Sequence, residues 1–211
     1  MSTTLEELAA KITAGRAKLV PGLVQKAMDE GVDPLVILNS MVGVMDEIGE
    51  RFQRNEVFVP EMLIAAKAMK KGMEVLRPVL TDTGSAGCGK VVIGTVAGDL
   101  HDIGKNLVAM MIESAGFEVI DLGVDVPAER FAEICREDPE VHLVALSSLL
   151  TTTMPAMKET VALLNAQDFR SRIKIMVGGA PISAAFAEEI GADAYTEDAA
   201  SAAAKAKELV A

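Results

Sequence analysis

Asp99 and His101 are the residues whose type and spacing could do chemistry. They lie in Gly98-Asp99-Leu100-His101-Asp102-Ile103-Gly104-Lys105-Asn106, after the apolar run Val91-Val92-Ile93-Gly94-Thr95-Val96-Ala97 and before an amphipathic helical pattern. His101 is therefore predicted at the carboxyl end of a buried strand, the edge at which open α/β sheets bind ligands. A tight loop would let the Asp99 carboxylate take a ring N–H, fix the tautomer and raise the basicity of the other nitrogen. That is the chemistry of a supported, metal-ligating imidazole. The same two residues are compatible with a loop histidine that bonds its neighbour and holds nothing. A site of protein ligands alone fits poorly, because structural zinc takes about four and catalytic zinc about three. The chain has two histidines, His101 and His142, and two cysteines, Cys88 and Cys135, without ligand spacing. His142 falls inside another apolar run and reads as structural. A single imidazole suits a metal whose other ligands come from a macrocycle.

Two more segments share that predicted edge. Leu146-Ser147-Ser148-Leu149-Leu150-Thr151-Thr152-Thr153-Met154-Pro155 follows a strand pattern and places small hydroxyl residues where a ligand would need room and hydrogen bonds. Thr153 also reads as a helix N-cap, with Pro155 in the first turn. Val177-Gly178-Gly179-Ala180-Pro181 follows the next strand pattern, and paired glycines allow close backbone approach.

The elements that must position these loops fall into two regions. Residues 1–82 read as helices only. Thr4 and Glu7 form a predicted capping box, and a second helix with Leu23, Val24 and Ala27 stops at Gly31. Asp33-Pro34 opens a third, with Leu35, Leu38, Val42, Met45 and Ile48 at helical spacing. A fourth starts near Pro60 and carries Leu63, Ala66, Met69, Met73 and Leu76 on one side. Short connections suggest a four-helix antiparallel bundle. Residues 83–89, rich in small side chains, read as a linker and natural hinge. From 90 to 211, apolar runs at 91–96, 117–120, 141–146, 173–177 and 194–195 alternate with helical patterns from about Gly104, Pro127, Thr153, Pro181 and Asp198. Such alternation predicts a five-stranded parallel sheet wrapped by helices, in flavodoxin-like (Rossmann-type) order.

Composition narrows the function classes. A net charge of −11 disfavours nucleic acid and anionic membrane surfaces. Two separated cysteines make no disulfide framework. The acidic start has no signal-peptide core and no apolar run spans a bilayer, so a cytoplasmic protein is expected. With no Trp, one Tyr and twelve Met, the cores are expected to rely on adaptable methionine.

Three motifs carry a family resemblance over nearly the whole chain. Asp99-Leu100-His101-Asp102-Ile103-Gly104 matches the DxHxxG motif of cobalamin-binding proteins, Ser147-Ser148-Leu149 their SxL, and Gly178-Gly179 their GG, in the same order and spacing. The helical region resembles the cap that precedes the corrinoid domain of methionine synthase. The whole chain is similar to the free-standing corrinoid proteins of anaerobic methyltransferase systems.

The resemblance implies cobalamin or a related corrinoid as cofactor, in its methylcobalamin form during turnover, with His101 as axial cobalt ligand. It implies support of His101 by Asp99, relayed to Thr153, which stands where methionine synthase has serine. It implies cofactor contacts at Asp102, Ile103, Gly104, Ser147, Leu149, Thr151, Gly178 and Gly179. Phe52 and Val59, in the cap segment Glu50 to Pro60, fall at methyl-shielding positions, whereas Phe58 reads as bundle core.

The implied role is a methyl carrier, not catalytic alone. Its partners would be a substrate-specific methyltransferase for methanol, a methylamine or an aryl methyl ether, an acceptor methyltransferase using tetrahydrofolate or coenzyme M, and a reductive activase. Rival readings are the cobalamin subunit of an adenosylcobalamin mutase, which needs a substrate barrel, and a cobalamin-dependent sensor, which usually adds an output domain.

Overall fold

A computed structural model describes residues 3–82 and 89–210. The predicted linker and hinge, apart from Gly89, and Cys88 lie outside the described residues. The chain divides into two compact units, one helical and one α/β.

The helical unit comprises α1 (Thr3–Thr13), α2 (Val20–Asp29), α3 (Pro34–Gln53) and α4 (Val59–Asp82). Asp33 starts α3 as expected: its carboxylate accepts the Leu35 N–H at 2.8 Å, and Pro34 takes the first helical position. The chain leaves α2 through Gly31, whose φ of +80° favours glycine. At Gly72 of α4 a side chain would collide with Met41 and Val20, so the missing Cβ lets α2 and α3 approach α4 closely.

Three local expectations are corrected. Thr4 lies inside α1 rather than before it and is buried, and its hydroxyl donates to Glu30 at 2.9 Å. Leu35 is exposed, because the inward stripe of α3 begins two residues later with Ile37, Leu38, Met41, Val44, Met45 and Ile48. Phe58 is not bundle core but 62% exposed. It directly precedes α4, where the Glu61 carboxylate accepts its N–H at 2.9 Å, and Val57 turns inward instead.

The α/β unit runs β1 (Lys90–Thr95), α5 (Ile103–Ser114), β2 (Glu118–Asp121), α6 (Ala128–Glu137), β3 (Val141–Ser147), α7 (Met154–Asn165), β4 (Lys174–Gly178), α8 (Ala184–Ile190), β5 (Ala194–Tyr195) and α9 (Ala199–Val210). The strands are parallel in the order β2-β1-β3-β4-β5, the predicted flavodoxin-like arrangement. β1 and β3 are buried almost throughout, as central strands covered on both faces must be. On one face Phe131 of α6 lies against Gly94 of β1, where a Cβ would come within 2.7 Å of the ring. The helix expected from Pro181 starts later, at Ala184. The Ser183 hydroxyl caps it by accepting the Phe186 N–H at 3.2 Å, while Ile182 still bonds back to Gly179.

Register decides which loops meet. Thr95 pairs with Ser147, and Ser147 with Gly178, across the carboxyl ends of β1, β3 and β4. The segments that follow those three residues therefore leave the sheet side by side. Among the described residues no helix is long and apolar enough to cross a membrane.

Candidate functional site

The loop after β1 turns on Gly98, whose φ is +81°, and delivers Asp99 into the interior while His101 points outward. The Asp99 side chain is fully buried and that of His101 is half exposed. The His101 ring Nδ1 lies 2.7 Å from Asp99 Oδ1, and the His101 backbone N–H donates to the same oxygen at 3.1 Å. Oδ2 accepts the Leu149 N–H at 2.7 Å, the Thr153 hydroxyl at 2.8 Å and, at longer range, the Leu150 N–H at 3.3 Å.

This donor set favours the ionised form of Asp99. Burial opposes ionisation of Asp99, but the bonds from Leu149, His101 and Thr153 outweigh it and hold the carboxyl well below the usual carboxylate range. An ionised carboxylate only accepts, so Nδ1 of His101 carries the proton. In the neutral imidazole that tautomer keeps the lone pair on Nε2.

Thr153 occupies the N-cap position of α7 yet makes no side-chain cap bond. Its hydroxyl serves Asp99 instead, so of its two expected uses only the second is realised. Ser148, fully buried, stands 2.8 Å from the Thr153 hydroxyl.

The remaining candidates gather at the same edge. Asp102, Ile103 and Gly104 form the entry to α5, with Asp102 accepting from the Asn106 side-chain amide at 3.1 Å. At Gly104 a Cβ would meet nothing within 4 Å, so the backbone borders open space. Ser147 ends β3, and Leu149 and Thr151 are exposed in the following loop. Gly178 and Gly179 press on that loop: a Cβ at Gly179 would overlap the Ser148 carbonyl, and the Gly178 carbonyl accepts the Ser148 N–H at 3.2 Å. Phe52 and Val59 belong to the helical unit, Phe52 half-buried in α3 and Val59 exposed as the first residue of α4.

Several contributors were not found from sequence. Ser148 is the middle residue of the SxL triplet, the position that the motif leaves open. The buried Thr95 hydroxyl donates to the His101 carbonyl at 2.8 Å and ties the loop to the sheet. Lys105 is buried directly after Gly104 and donates to both Asp121 oxygens, at 2.6 and 2.5 Å, and to Asn106 Oδ1 at 2.7 Å. A lysine next to the glycine of DxHxxG, followed by Asn106, was the available signal. Asp125 in the β2–α6 loop carried none.

Chemically the site offers one imidazole nitrogen. Among the described residues no group of three or more His, Cys, Asp or Glu is placed to hold a metal ion. Leu100, Ile103, Leu149 and Leu150 are large, apolar and 40–86% exposed along this edge. An exposed apolar shoulder beside a single supported donor and an open glycine border fits a metal carried inside a large, largely apolar ring system.

Comparison with known proteins gives the same direction. A family model described as a B12 binding domain matches residues 89–204, and a second model of the same description matches residues 4–77. A dimethylamine corrinoid protein of Methanosarcina acetivorans is 42% identical over 98% of this chain and 97% of its own. Another, from Methanosarcina barkeri, is 42% identical over the same shares. A crystal structure of a cobalamin-binding protein from Desulfitobacterium hafniense matches with a TM-score of 0.79 at 31% identity, covering 98% of both chains. The methanol:cobalamin methyltransferase complex MtaBC of Methanosarcina barkeri contains a chain that matches with a TM-score of 0.83 at 28% identity, covering all of this chain and 80% of that one.

Proposed function

This chain belongs to the B12-binding protein family, and from that premise we propose that it carries a methyl group on a bound corrinoid between two methyltransferases. The observation that carries the proposal is the half-exposed His101 imidazole, whose Nδ1 lies 2.7 Å from a carboxylate oxygen of buried Asp99. When bound, the corrinoid supplies a cobalt centre able to accept and release a methyl group.

The chain's own residues hold and tune that group. His101 would hold the cobalt through Nε2, and Asp99, bonded by Thr153, would favour the tautomer that makes Nε2 a donor. The open border at Gly104 would leave room for the cofactor's nucleotide tail, and Asp102, Ile103, Ser147, Leu149, Thr151, Gly178 and Gly179 would help to hold it. Lys105, itself buried, keeps the start of α5 in place through its ion pair with the exposed Asp121. Phe52 and Val59 are the candidates for shielding the methyl group. In this reading a substrate-specific methyltransferase loads the methyl, a second enzyme with tetrahydrofolate or coenzyme M accepts it, and a reductive activase restores the resting carrier. The names of the dimethylamine corrinoid proteins support a methylamine as the donor class. An acidic chain of net charge −11 suits a cytoplasmic shuttle between enzymes.

Reconstitution with methylcobalamin tests the core of this reading. The wild-type spectrum should show the imidazole-ligated corrinoid, and His101→Ala should lose it. An unchanged spectrum with undiminished binding in His101→Ala would refute axial ligation. For the shield, Phe52→Ala should speed photolytic loss of the methyl group, and an unaltered rate removes Phe52 from that role.

A further inference from the structure

We propose that Asp125, in the loop between β2 and α6, is a positioning residue that aims Asp99 at His101. It holds the Asp99 segment on both sides. The Asp125 Oδ1 accepts the N–H of Gly98 at 2.7 Å, and the Asp125 N–H donates to the carbonyl of Asp99 at 2.9 Å. One residue thus bonds the Ala97–Gly98 and Asp99–Leu100 peptide groups, which flank the Gly98–Asp99 peptide. The Gly98–Asp99 turn between them is restrained from both ends, and with it the direction in which the Asp99 side chain leaves.

The backbone around this clamp is built to carry it. Asp125 has a φ of +53°, one of only two such non-glycine residues among those described. A positive φ is unfavourable for an L-residue with a Cβ, though aspartate tolerates it better than most. Such a conformation persists where surrounding bonds determine it, and functional sites are where these conformations concentrate. Here they do: the Thr95 N–H donates to the Gly123 carbonyl at 3.0 Å, the Val126 N–H donates to Thr95 at 3.0 Å, and Val96 and Val126 form an isolated parallel bridge. At the other end of the loop, Asp121 bonds Lys105 and the Gly123 N–H. The segment from Asp121 to Val126 is therefore anchored to β1 and to the start of α5, and Asp125 projects from that anchored segment onto the Asp99 turn. Asp99 in turn sets the proton on His101.

This inference rests on the reading of His101 as ligand only in its second test; the first needs no corrinoid. In cofactor-free protein labelled with 15N-histidine, the two histidines are easily separated, since His142 Nδ1 has no hydrogen-bond partner and acts as internal control. Wild type should show His101 as the Nδ1-protonated tautomer with a slowly exchanging Nδ1–H. Asp125→Gly removes the acceptor and relieves the positive φ. It should unfold at or near the wild-type temperature yet lose the protected Nδ1–H signal and mix tautomers. Asp125→Asn keeps an acceptor oxygen and should restore both. In the corrinoid-loaded protein, Asp125→Gly should lower the ratio of imidazole-bound to imidazole-free cobalt by about tenfold, the low end for outer support of a ligand. A wild-type tautomer and Nδ1–H signal in folded Asp125→Gly would overturn the proposal, as would no rescue by Asp125→Asn. Failure of both Asp125→Gly and Asp125→Ala to fold would equally overturn it, by showing a structural role. If the tautomer responds as expected while wild type and His101→Ala bind corrinoid with the same spectrum, the clamp stands and the ligand reading fails.

Discussion

The Thr153 hydroxyl donates to Asp99 Oδ2 at 2.8 Å although the two residues lie 54 positions apart. The bond joins the turn after β1 to the start of α7, and its buried setting keeps water from replacing it. Asp99 is thus held by donors from its own loop and from the loop after β3, and His101 inherits its orientation from both.

Thr153→Val should destabilise the protein by about 1.5–3 kcal/mol, the worth of a hydrogen bond to a charged group. Thr153→Ser keeps the donor and should cost only about 1 kcal/mol for a lost methyl. Urea denaturation of the two variants separates these outcomes. Equal stabilities would mean that the hydroxyl does not hold Asp99.

Two glycines at the same edge should respond in opposite ways. A side chain at Gly179 would overlap the Ser148 carbonyl, and the residue has a φ of +129°. Gly179→Ala should therefore lose about 2–4 kcal/mol. Gly104 has open space around it and lies in the first turn of α5. Gly104→Ala should keep or raise stability by up to about 1 kcal/mol, while weakening corrinoid binding. Thermal melts paired with corrinoid titration check both; full binding by Gly104→Ala would remove the nucleotide tail from that border.

Stability should fall on the acid side in a window set by Asp99. Its carboxyl is held below the ordinary value, so the unfolded chain binds its proton first. Its contribution is complete above the unfolded carboxyl pKa of about 4 and fades as pH drops from there through the folded value. Asp138, lowered by its bond to Lys90, adds in the same direction. Denaturant midpoints between about pH 5 and pH 2 should fall less steeply for Asp99→Asn than for wild type. Parallel slopes would show that Asp99 carries none of the dependence.

Cys135 should be inert in the folded protein. Burial pushes its thiol up to about 11, only partly countered by Arg172. In a Cys88→Ser background, a thiol reagent at neutral pH should label Cys135 only as fast as the chain unfolds. Rapid labelling under native conditions would contradict the burial of Cys135 on the inner face of α6.

Much of this protein is legible in its sequence because the relevant signals are local. Alternating apolar runs and helical patterns yield the sheet order, and Asp33-Pro34 marks the start of α3. Asp99 and His101 are two residues apart, so one tight turn suffices to pair them. Local signals misled where tertiary contacts compete with them. Thr4 and Thr153 have the chemistry of helix caps, but each hydroxyl meets a carboxylate from a distant segment. Leu35 and Phe58 have core chemistry, but the helices they precede or begin turn inward at neighbouring positions.

The sequence by itself determined the kind of site: one supported imidazole at the carboxyl edge of a parallel sheet, with hydroxyl and glycine loops in the matching order. Only the tertiary structure decided which groups fix the imidazole. The pairing of Thr95 with Ser147 and of Ser147 with Gly178 brings the loops together. Hydrogen bonds from Leu149, Thr153 and Asp125 then set the Asp99 turn. Hydrogen bonds act over about 3 Å, so partners tens of residues apart meet only once the strands have found their register.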